Sequence, residues 1–449
     1  MSLKISISGI RGVIGDGLDA ESVGRFASAF GSWLPEGSVV VGRDSRPSGP
    51  MLHASVIGAL LSTGHDVVDA GILSTPGTEY LVQTTDAVGG VIITASHNPV
   101  EWNALKLLES NGLFLDASQM QAVIDLSEMG ERRHVRALET GTVETVDDAE
   151  QRHLAAILAC PLVDVDAVRA ARLKVVVDAV EGAGGRALPS LLRQMGVECI
   201  ALYCDRTGLF PHDPEPRPDH LEELRLRVET EDADLGLAVD PDVDRLALID
   251  RGGIALSEEV TLAVAVDHVL EREKGPVVIN LSTSLVVAAV AERHGVPLLR
   301  TPVGEVNVVA RMLSEKAIVG GEGNGGVILP SLHPGRDALL GAALVLSAVA
   351  SRGSLRNCLE RLPDAAMHKS KLVLTPELDD PARWETALTA LGDGGVMDRQ
   401  DGLKYDLGDR WIHLRRSNTE NAVRIIAEAS TQDAARDLVE RVRRLLGTE

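Results

Sequence analysis

One pattern occurs three times in this chain and restricts it to few folds. It runs as an apolar strand, a small or polar turn, an apolar-periodic helix, a glycine and a second apolar strand. "SVVVGRDSRPSG" leads through "PMLHASVIGALLSTG" to "HDVVDAGI"; "KVVVDAVEGAGG" leads through "RALPSLLRQMG" to "VECIALY"; "PVVINLSTS" leads through "LVVAAVAERHG" to "VPLLRTPVG". The glycine supplies the left-handed residue that ends a helix. Strands that are apolar throughout and alternate with helices belong to parallel sheets covered on both faces. The expected fold is α/β: three similar domains with mixed, largely parallel sheets. The tail breaks the pattern. "WIHLRRSNTENAVRIIAEAS" reads as two strands around a loop, and "TQDAARDLVERVRRLLG" as one helix with Ala435, Leu438, Val439, Val442, Leu445 and Leu446 on a single face. A smaller α+β C-terminal domain is expected there. Polar, acidic or Pro-containing stretches such as "TVETVDDAEQ" and "RLPDAAMHKS" set the domains at 1–150, 151–252, 253–366 and 367–449.

Composition excludes several functions. Aromatics are 2% of the 449 residues, so the cores must be built from Val, Leu, Ile and Ala, and few rings remain to stack on bases. The net charge of -22 disfavours nucleic acid and anionic membranes as partners. Any anionic ligand must be held by local arginines. The four cysteines (160, 199, 204 and 358) form no CxxC pair and read as reduced thiols of a cytoplasmic protein. Cys199 and Cys204 are expected on one strand, facing opposite sides. The start "MSLKISISGIRG" has no long apolar segment and does not read as a signal peptide. "ALLGAALVLSAVA", 338–350, is too short to span a bilayer and reads as a buried helix.

Active sites of such sheets lie at loops beyond the carboxyl ends of the strands, and four loops have unusual composition. In "GVIITASHNPVEWNALKLL", 89–107, an apolar run ends at Thr94, Ala95, Ser96, His97, Asn98 and Pro99. Ser96 reads either as a turn residue or as a group carrier; alone, the turn is the better reading. Lys106 reads as a proton-transfer group or a snorkelling surface lysine. In "LGLAVDPDVDRLALID", 235–250, Asp240, Asp242 and Asp244 converge on one hard cation if the loop curls. An EF-hand is excluded, because its sixth position would be Arg245 and its twelfth Arg251. A phosphatase-type nucleophile loop is the rival. "IVGGEGNGGVILP", 318–330, frames Glu322 and Asn324 with glycines, a pair suited to sugar hydroxyls. "RRSNTEN", 415–421, offers Arg415, Ser417, Asn418 and Thr419 as a phosphate-binding set. Arg11 lies between glycines, and Arg43 and Arg46 follow a strand; a surface salt bridge is the expected fate of Arg46. Each of the four loops falls in a different domain, so one central cleft where four domains meet is expected.

The combination resembles the α-D-phosphohexomutase family over essentially the whole chain. "TASHNP" is similar to the family's phosphoserine loop, "NALK" to its Asn-Gly-x-Lys, "DPDVDR" to its metal loop, "GEGNGG" to its sugar loop and "RRSNTEN" to its phosphate loop. "GIRG", "GRD" and "HDPEPRPDHLEEL" are also similar to family segments. The resemblance implies interconversion of hexose 1- and 6-phosphates through phosphorylated Ser96 and a bisphosphorylated sugar. It implies one Mg²⁺ held by Ser96, Asp240, Asp242 and Asp244, with a hexose 1,6-bisphosphate as activator. It implies Lys106 as general acid/base, provided desolvation lowers its pKa, with Arg11, Arg245 and His97 beside the phosphoryl group. Glu322 and Asn324 would hold the sugar, and Arg415, Ser417, Asn418 and Thr419 the second phosphate. The chain departs from the family at Ala104, Pro241, Val243, Asn324 and Asn421. "RTPVGEVNV" with "GEGNGGVILP" points to glucosamine phosphate as the sugar, with glucose and mannose phosphates as alternatives. The resemblance implies a monomer or homodimer whose last domain closes like a lid.

Overall fold

The computed structural model describes residues 3–6, 9–130, 132–417 and 421–448. Each repeat folds as its sequence demands. Strand Ser38–Arg43, helix Gly49–Ser62 and strand Asp66–Ile72 make the first. Lys174–Asp178, Gly184–Gln194 and Glu198–Leu202 make the second. Val277–Asn280, Leu285–His294 and Leu298–Thr301 make the third. The two strands of each repeat pair in parallel. Gly64, Gly196 and Gly295 take φ of +86°, +77° and +67° after the three helices, the conformation glycine adopts most cheaply.

Each unit then adds two strands that the repeat alone does not announce. A third strand (Gly89–Ile93, Leu235–Val239 or Val319–Glu322) pairs in parallel on the far side of the first. A fourth (Trp102–Glu109, Leu246–Asp250 or Gly326–Leu329) returns antiparallel to the third. Every residue of the three third strands is buried, which accounts for their continuous apolar sequences up to the glycines and Glu322. The reversal between third and fourth strands therefore occurs three times at one topological position. It carries residues 94–101 in the first unit, 240–245 in the second and 323–325 in the third.

The sheets have eight, five, five and five strands in chain order. The last is fully antiparallel, ordered Ala366–Val373, Ala422–Ala429, Trp411–Arg416, Leu403–Asp406 and Val396–Asp398. Helices Pro381–Thr389 and Gln432–Leu445 share its core, which includes Trp384, Leu388, Leu438 and Val442. Its other side, with Lys404, His413 and Glu428 buried, docks on the third unit. Glu428 accepts from the backbone N–H of Leu285 at 2.8 Å and from the Ser284 hydroxyl, so a carboxylate from the fourth sheet caps a helix of the third unit. Lys404 donates to the carbonyl of Leu281 at 2.7 Å, and the Ser282 hydroxyl lies 2.9 Å from His413 Nδ1.

The second and third units are not separate cores. One apolar cluster runs through both, from Leu154 to Cys358. Helix Ala338–Arg352 is buried from Ala338 to Val349 and packs against helices of both units. A Leu344→Ala change there removes a fully buried side chain, a loss of about 2–5 kcal/mol. The cysteines differ from expectation: the strand ends at Leu202, and Tyr203 at φ +52° breaks the alternation. Cys199 and Cys204 consequently both pack on the shared core, and all four cysteines are unpaired. Among the described residues, no helix is long and apolar enough to cross a membrane.

Candidate active site

Ser96 sits at the first of the three reversals with φ +50°, a left-handed conformation that a non-glycine residue adopts only under constraint. The constraint is visible. Its N–H donates to Thr94 Oγ1 at 2.9 Å, and Thr94 donates to Asp44 Oδ2 at 2.7 Å. Arg46 holds the rest of the loop. Its Nη2 donates to the carbonyls of Ser96 (2.5 Å) and Asn98 (2.7 Å), its Nη1 to those of Pro99 (2.6 Å) and Trp102 (3.0 Å), and its Nε to Asp44 (2.9 Å). All five N–H groups are used, and Phe210 lies 4.9 Å from the guanidinium. Arg46 is thus fully buried rather than paired at the surface, because only a buried fork can satisfy the carbonyls of so sharp a turn.

The strain aims the Ser96 hydroxyl at the second reversal, where Oγ donates to Asp240 Oδ2 at 2.9 Å; His97 Nδ1 lies 3.2 Å from the same oxygen. Asp240, Asp242 and Asp244 are buried, with one oxygen of each within 4.8 Å of the others. Burial, then Asp244 and Asp242, push Asp240 well above the usual carboxylate range. Asp242 is held below it: burial raises it, but Lys106 and the hydroxyl of Thr75 outweigh that. Asp242 Oδ1 and Asp244 Oδ1 are buried without a hydrogen-bond partner. Two orphaned oxygens and a third carboxylate facing a hydroxyl make a hard, all-oxygen donor set that fits Mg²⁺. Val243, at φ +66°, lies in the shared core, so burial offsets the strain of a β-branched residue in this loop.

Lys106 lies on the fourth strand of the first unit, opposite Ile92. Its Nζ donates to Asp242 Oδ2 at 2.7 Å and lies 4.0 Å from Asp244. Burial pushes its pKa down as expected, but Asp242 and Asp244 outweigh burial, and the net displacement is upward. The sequence reading made the acid/base role of Lys106 conditional on a lowered pKa; beside two carboxylates its ammonium form is favoured. His97 is the opposite case: burial, then Arg245 and Arg11, hold it well below its ordinary pKa, so it is a neutral imidazole. Arg11, on strand Gly9–Ile14, donates to Asn98 Oδ1 at 3.1 Å. Arg245 Nη1 donates to Glu215 at 3.3 Å, while its buried Nε has no hydrogen-bond partner and lies 3.6 Å from Asp244 Oδ1.

Glu322 ends the third strand of the third unit and is also buried. Oε1 accepts from Asn280 (2.8 Å) and the N–H of Gly304 (2.9 Å), and Oε2 accepts from Arg336 (2.9 Å). Burial raises its pKa, but Arg336 and these donors outweigh it, so the carboxylate stays ionised. Asn324 is half-buried, its side-chain carbonyl accepting from the N–H of Gly326 at 3.2 Å. Arg336 joins this loop to the aspartates, since its Nη2 donates to Asp244 Oδ2 at 2.6 Å. Gly304 extends the connection: the preceding N–H, of Val303, donates to Asp401 at 3.0 Å, and Arg415 Nε donates to the same oxygen at 3.1 Å.

The four loops are thus linked in one polar chain, Ser96–Asp240 at one end and Arg415 at the other. Ser96, His97, Lys106, Arg245 and the three aspartates converge directly; Glu322 joins them through Arg336, and Arg415 only through Asp401, Val303 and Gly304. Ser417 is tied by its N–H to the carbonyl of Ala422 at 2.8 Å. Asn418 and Thr419 lie outside the described residues. Sequence reasoning missed Arg336 and Asp401 and misjudged Arg46. A signal existed for Arg336 alone: its Gly-Arg-Asp at 335–337 repeats the Gly-Arg-Asp at 42–44, each time at the end of a strand.

Comparison with known proteins matches the chain along its four units. Residues 3–134, 151–253 and 257–366 match the domains described as phosphoglucomutase/phosphomannomutase, alpha/beta/alpha domains I, II and III, and 373–445 match the C-terminal domain. A phosphoglucomutase/phosphomannomutase of Thermococcus kodakarensis is 35% identical, over 96% of each chain. A probable phosphoglucosamine mutase of Methanopyrus kandleri is 36% identical, over 98% of this chain and 96% of its own. A crystal structure of a phosphoglucomutase/phosphomannomutase family protein from Burkholderia thailandensis superposes with a TM-score of 0.85 at 27% identity, covering 98% and 97% of the two chains.

Proposed function

The chain belongs to the phosphoglucomutase/phosphomannomutase family, whose members are isomerases, and on that premise we propose that it converts glucosamine 6-phosphate to glucosamine 1-phosphate. The observation that carries the reading is Ser96: a strained serine, buried, with its hydroxyl 2.9 Å from one of three clustered aspartates. A hydroxyl held this way suits a phosphoryl carrier better than a turn residue.

In this reading phosphorylated Ser96 gives its phosphoryl group to a sugar hydroxyl, and the resulting bisphosphate turns round and returns its other phosphate to Ser96. Ser96, Asp240, Asp242 and Asp244 would hold Mg²⁺, which would supply charge neutralisation at the phosphoryl group. When the serine is rephosphorylated its O–H proton must leave. His97 Nδ1 at 3.2 Å and Asp240 Oδ2 at 2.9 Å are the acceptors in reach. Lys106, as the neutral amine left once its ammonium proton has passed to solvent, takes the sugar hydroxyl proton and returns it to the sugar oxygen that later gives up its phosphate. Arg245, with a free Nε, and Arg11 stabilise the phosphoryl oxygens. Glu322 and Asn324 hold the ring hydroxyls, and Arg415, Ser417, Asn418 and Thr419 anchor the non-reacting phosphate. A free hexose 1,6-bisphosphate acts as activator by priming Ser96.

One thing favours the amino sugar: relatives at 30–36% identity carry the name probable phosphoglucosamine mutase. Glucose or mannose phosphate is the second reading, favoured by the name of the Thermococcus relative. The test is an isomerase assay with Mg²⁺ and a trace of bisphosphate on glucosamine, glucose and mannose 1-phosphates. Fastest turnover of the glucosamine ester is expected. Preference for another sugar overturns the substrate, and no turnover of any overturns the activity.

A further inference from the structure

A second cluster of possible ligands lies apart from the aspartates. His153, on helix Ala149–Ala159, and His333, beside Arg336, both place Nε2 against Asp337 Oδ2, at 2.9 and 3.2 Å. The two imidazole centroids are 5.7 Å apart with rings at 78°. The three side chains are all at least 99% buried. Asp337 Oδ1 is engaged elsewhere, accepting from the N–H groups of Leu339 and Leu340 at 2.9 and 3.1 Å to cap the long buried helix. On the far side of the His333 ring, Nδ1 faces Glu79 Oε2 at 3.6 Å, and neither atom has a hydrogen-bond partner. Glu79 is 3% exposed. A Cβ on Gly335 would overlap Glu79 Oε2, so the carboxylate is pressed close against this segment.

The two orphaned atoms need a proton between them, and its source separates two readings. If His333 carries its proton on Nε2 and donates to Asp337, the bare Nδ1 faces Glu79, whose carboxyl, pushed well above its ordinary range by burial and then by Glu305, has to supply that proton. If Nε2 instead offers its lone pair to a cation, the proton sits on Nδ1 and points at Glu79, the usual arrangement of a metal-binding histidine backed by a carboxylate. The three donor atoms lie within 4.8 Å of one another, with both nitrogens on the same carboxylate oxygen.

We propose that His153, His333 and Asp337 form a second metal site, selective for a borderline transition ion such as Zn²⁺, with Glu79 as the outer partner of His333. Two imidazoles and one carboxylate suit Zn²⁺ and not Mg²⁺. The site is structural. It staples the helix bearing His153 to the segment 333–337, which contains Arg336, with Glu79 reaching in from the first unit.

The test uses full-length protein stripped with a chelator and then kept in excess Mg²⁺, so that the three aspartates do not compete. Equilibrium dialysis against Zn²⁺ is expected to give one tightly held ion per chain, absent in His153→Gln/His333→Gln protein shown by circular dichroism to be folded. Glu79→Gln keeps the stoichiometry and weakens binding about 10–100-fold. Co²⁺ in the wild-type protein gives the intense visible absorption of a tetrahedral nitrogen-ligated ion, which needs no variant to fold. Zn²⁺ uptake no greater than in the double variant, or a Co²⁺ spectrum of octahedral oxygen ligation, overturns the proposal. So does nitrogen NMR showing His333 protonated at both ring nitrogens in the presence of Zn²⁺; the cluster is then an imidazolium between two carboxylates.

Discussion

Arg46 Nη2 grips the carbonyl oxygen of Ser96 at 2.5 Å, and that bond is one of four to backbone carbonyls by which a single buried guanidinium shapes the loop. The serine is held from behind by Arg46 and reached from in front by Asp240. Lysine cannot replace this arginine, because an ammonium has three donors in no fixed fork. Arg46→Lys is therefore expected to lose about 2–4 kcal/mol in urea unfolding through unsatisfied carbonyls, and Arg46→Ala about 3–5 kcal/mol through unpaired Asp44. Both should slow phosphorylation of Ser96 although neither touches substrate.

The strain at Ser96 separates stability from chemistry. Glycine adopts φ +50° without penalty, so Ser96→Gly is expected to fold with unchanged stability or a gain below about 1 kcal/mol. Its mutase activity should fall by at least about 10⁴-fold, as expected when a covalent carrier is removed. A large destabilisation in calorimetry would show that the side-chain contacts, not the backbone, fix this loop.

The aspartates carry a cost when no cation is present. Asp240 is raised by burial and by two like charges, so Asp240→Asn is expected to stabilise metal-free protein. The same change should abolish stabilisation by Mg²⁺, which for the parent is about 2.7 kcal/mol at one hundred times the dissociation constant. Thermal unfolding of both proteins with and without Mg²⁺ reads the two effects separately.

Arg336 couples the metal loop to the sugar loop through Asp244 at 2.6 Å and Glu322 at 2.9 Å. Its stem lies over Gly326, where a Cβ would overlap it. Gly326→Ala is expected to displace Arg336 and raise the KM for sugar phosphate while weakening Mg²⁺ binding. Kinetics titrated in both ligands should show the two constants moving together; independent movement would remove Arg336 as the link.

Acid should loosen the fourth unit. Burial holds His413 down to about 4, against about 6.5 unfolded, while its Nε2 lies 2.6 Å from the carbonyl of Asp401. Between those pH values the unfolded chain binds the proton and the folded one does not, so stability is lost as pH falls through that window, by up to about 3 kcal/mol from this residue. Glu259, raised to about 8 by burial, works in the opposite sense, gaining stability as pH falls from 8. The clean comparison is therefore the difference between parent and His413→Gln, whose stability gap should narrow as pH drops from 6.5 to 4.

Much of this organisation can be read in the residues. The three repeats and the tail are legible because apolar periodicity and a helix-ending glycine act locally. The three equivalent reversals are not, since the strands flanking them are buried on both faces and carry no alternation to reveal pairing. Asp240, Asp242 and Asp244 stand out because carboxylates after an apolar run have few other uses. Arg46 and Arg336 do not, because an arginine is usually exposed, and only long-range contacts show these two to be buried. The charge of Lys106 is likewise a matter of distance to Asp242, which residue spacing does not contain.

The central claim is that Ser96 carries the phosphoryl group. Intact-protein and peptide mass spectrometry after incubation with Mg²⁺ and a hexose 1,6-bisphosphate tests it directly. The expected result is one phosphoryl group per chain, on the peptide containing Ser96 and absent from Ser96→Ala. Label on Asp240, or undiminished sugar-phosphate isomerisation by Ser96→Ala, would contradict it.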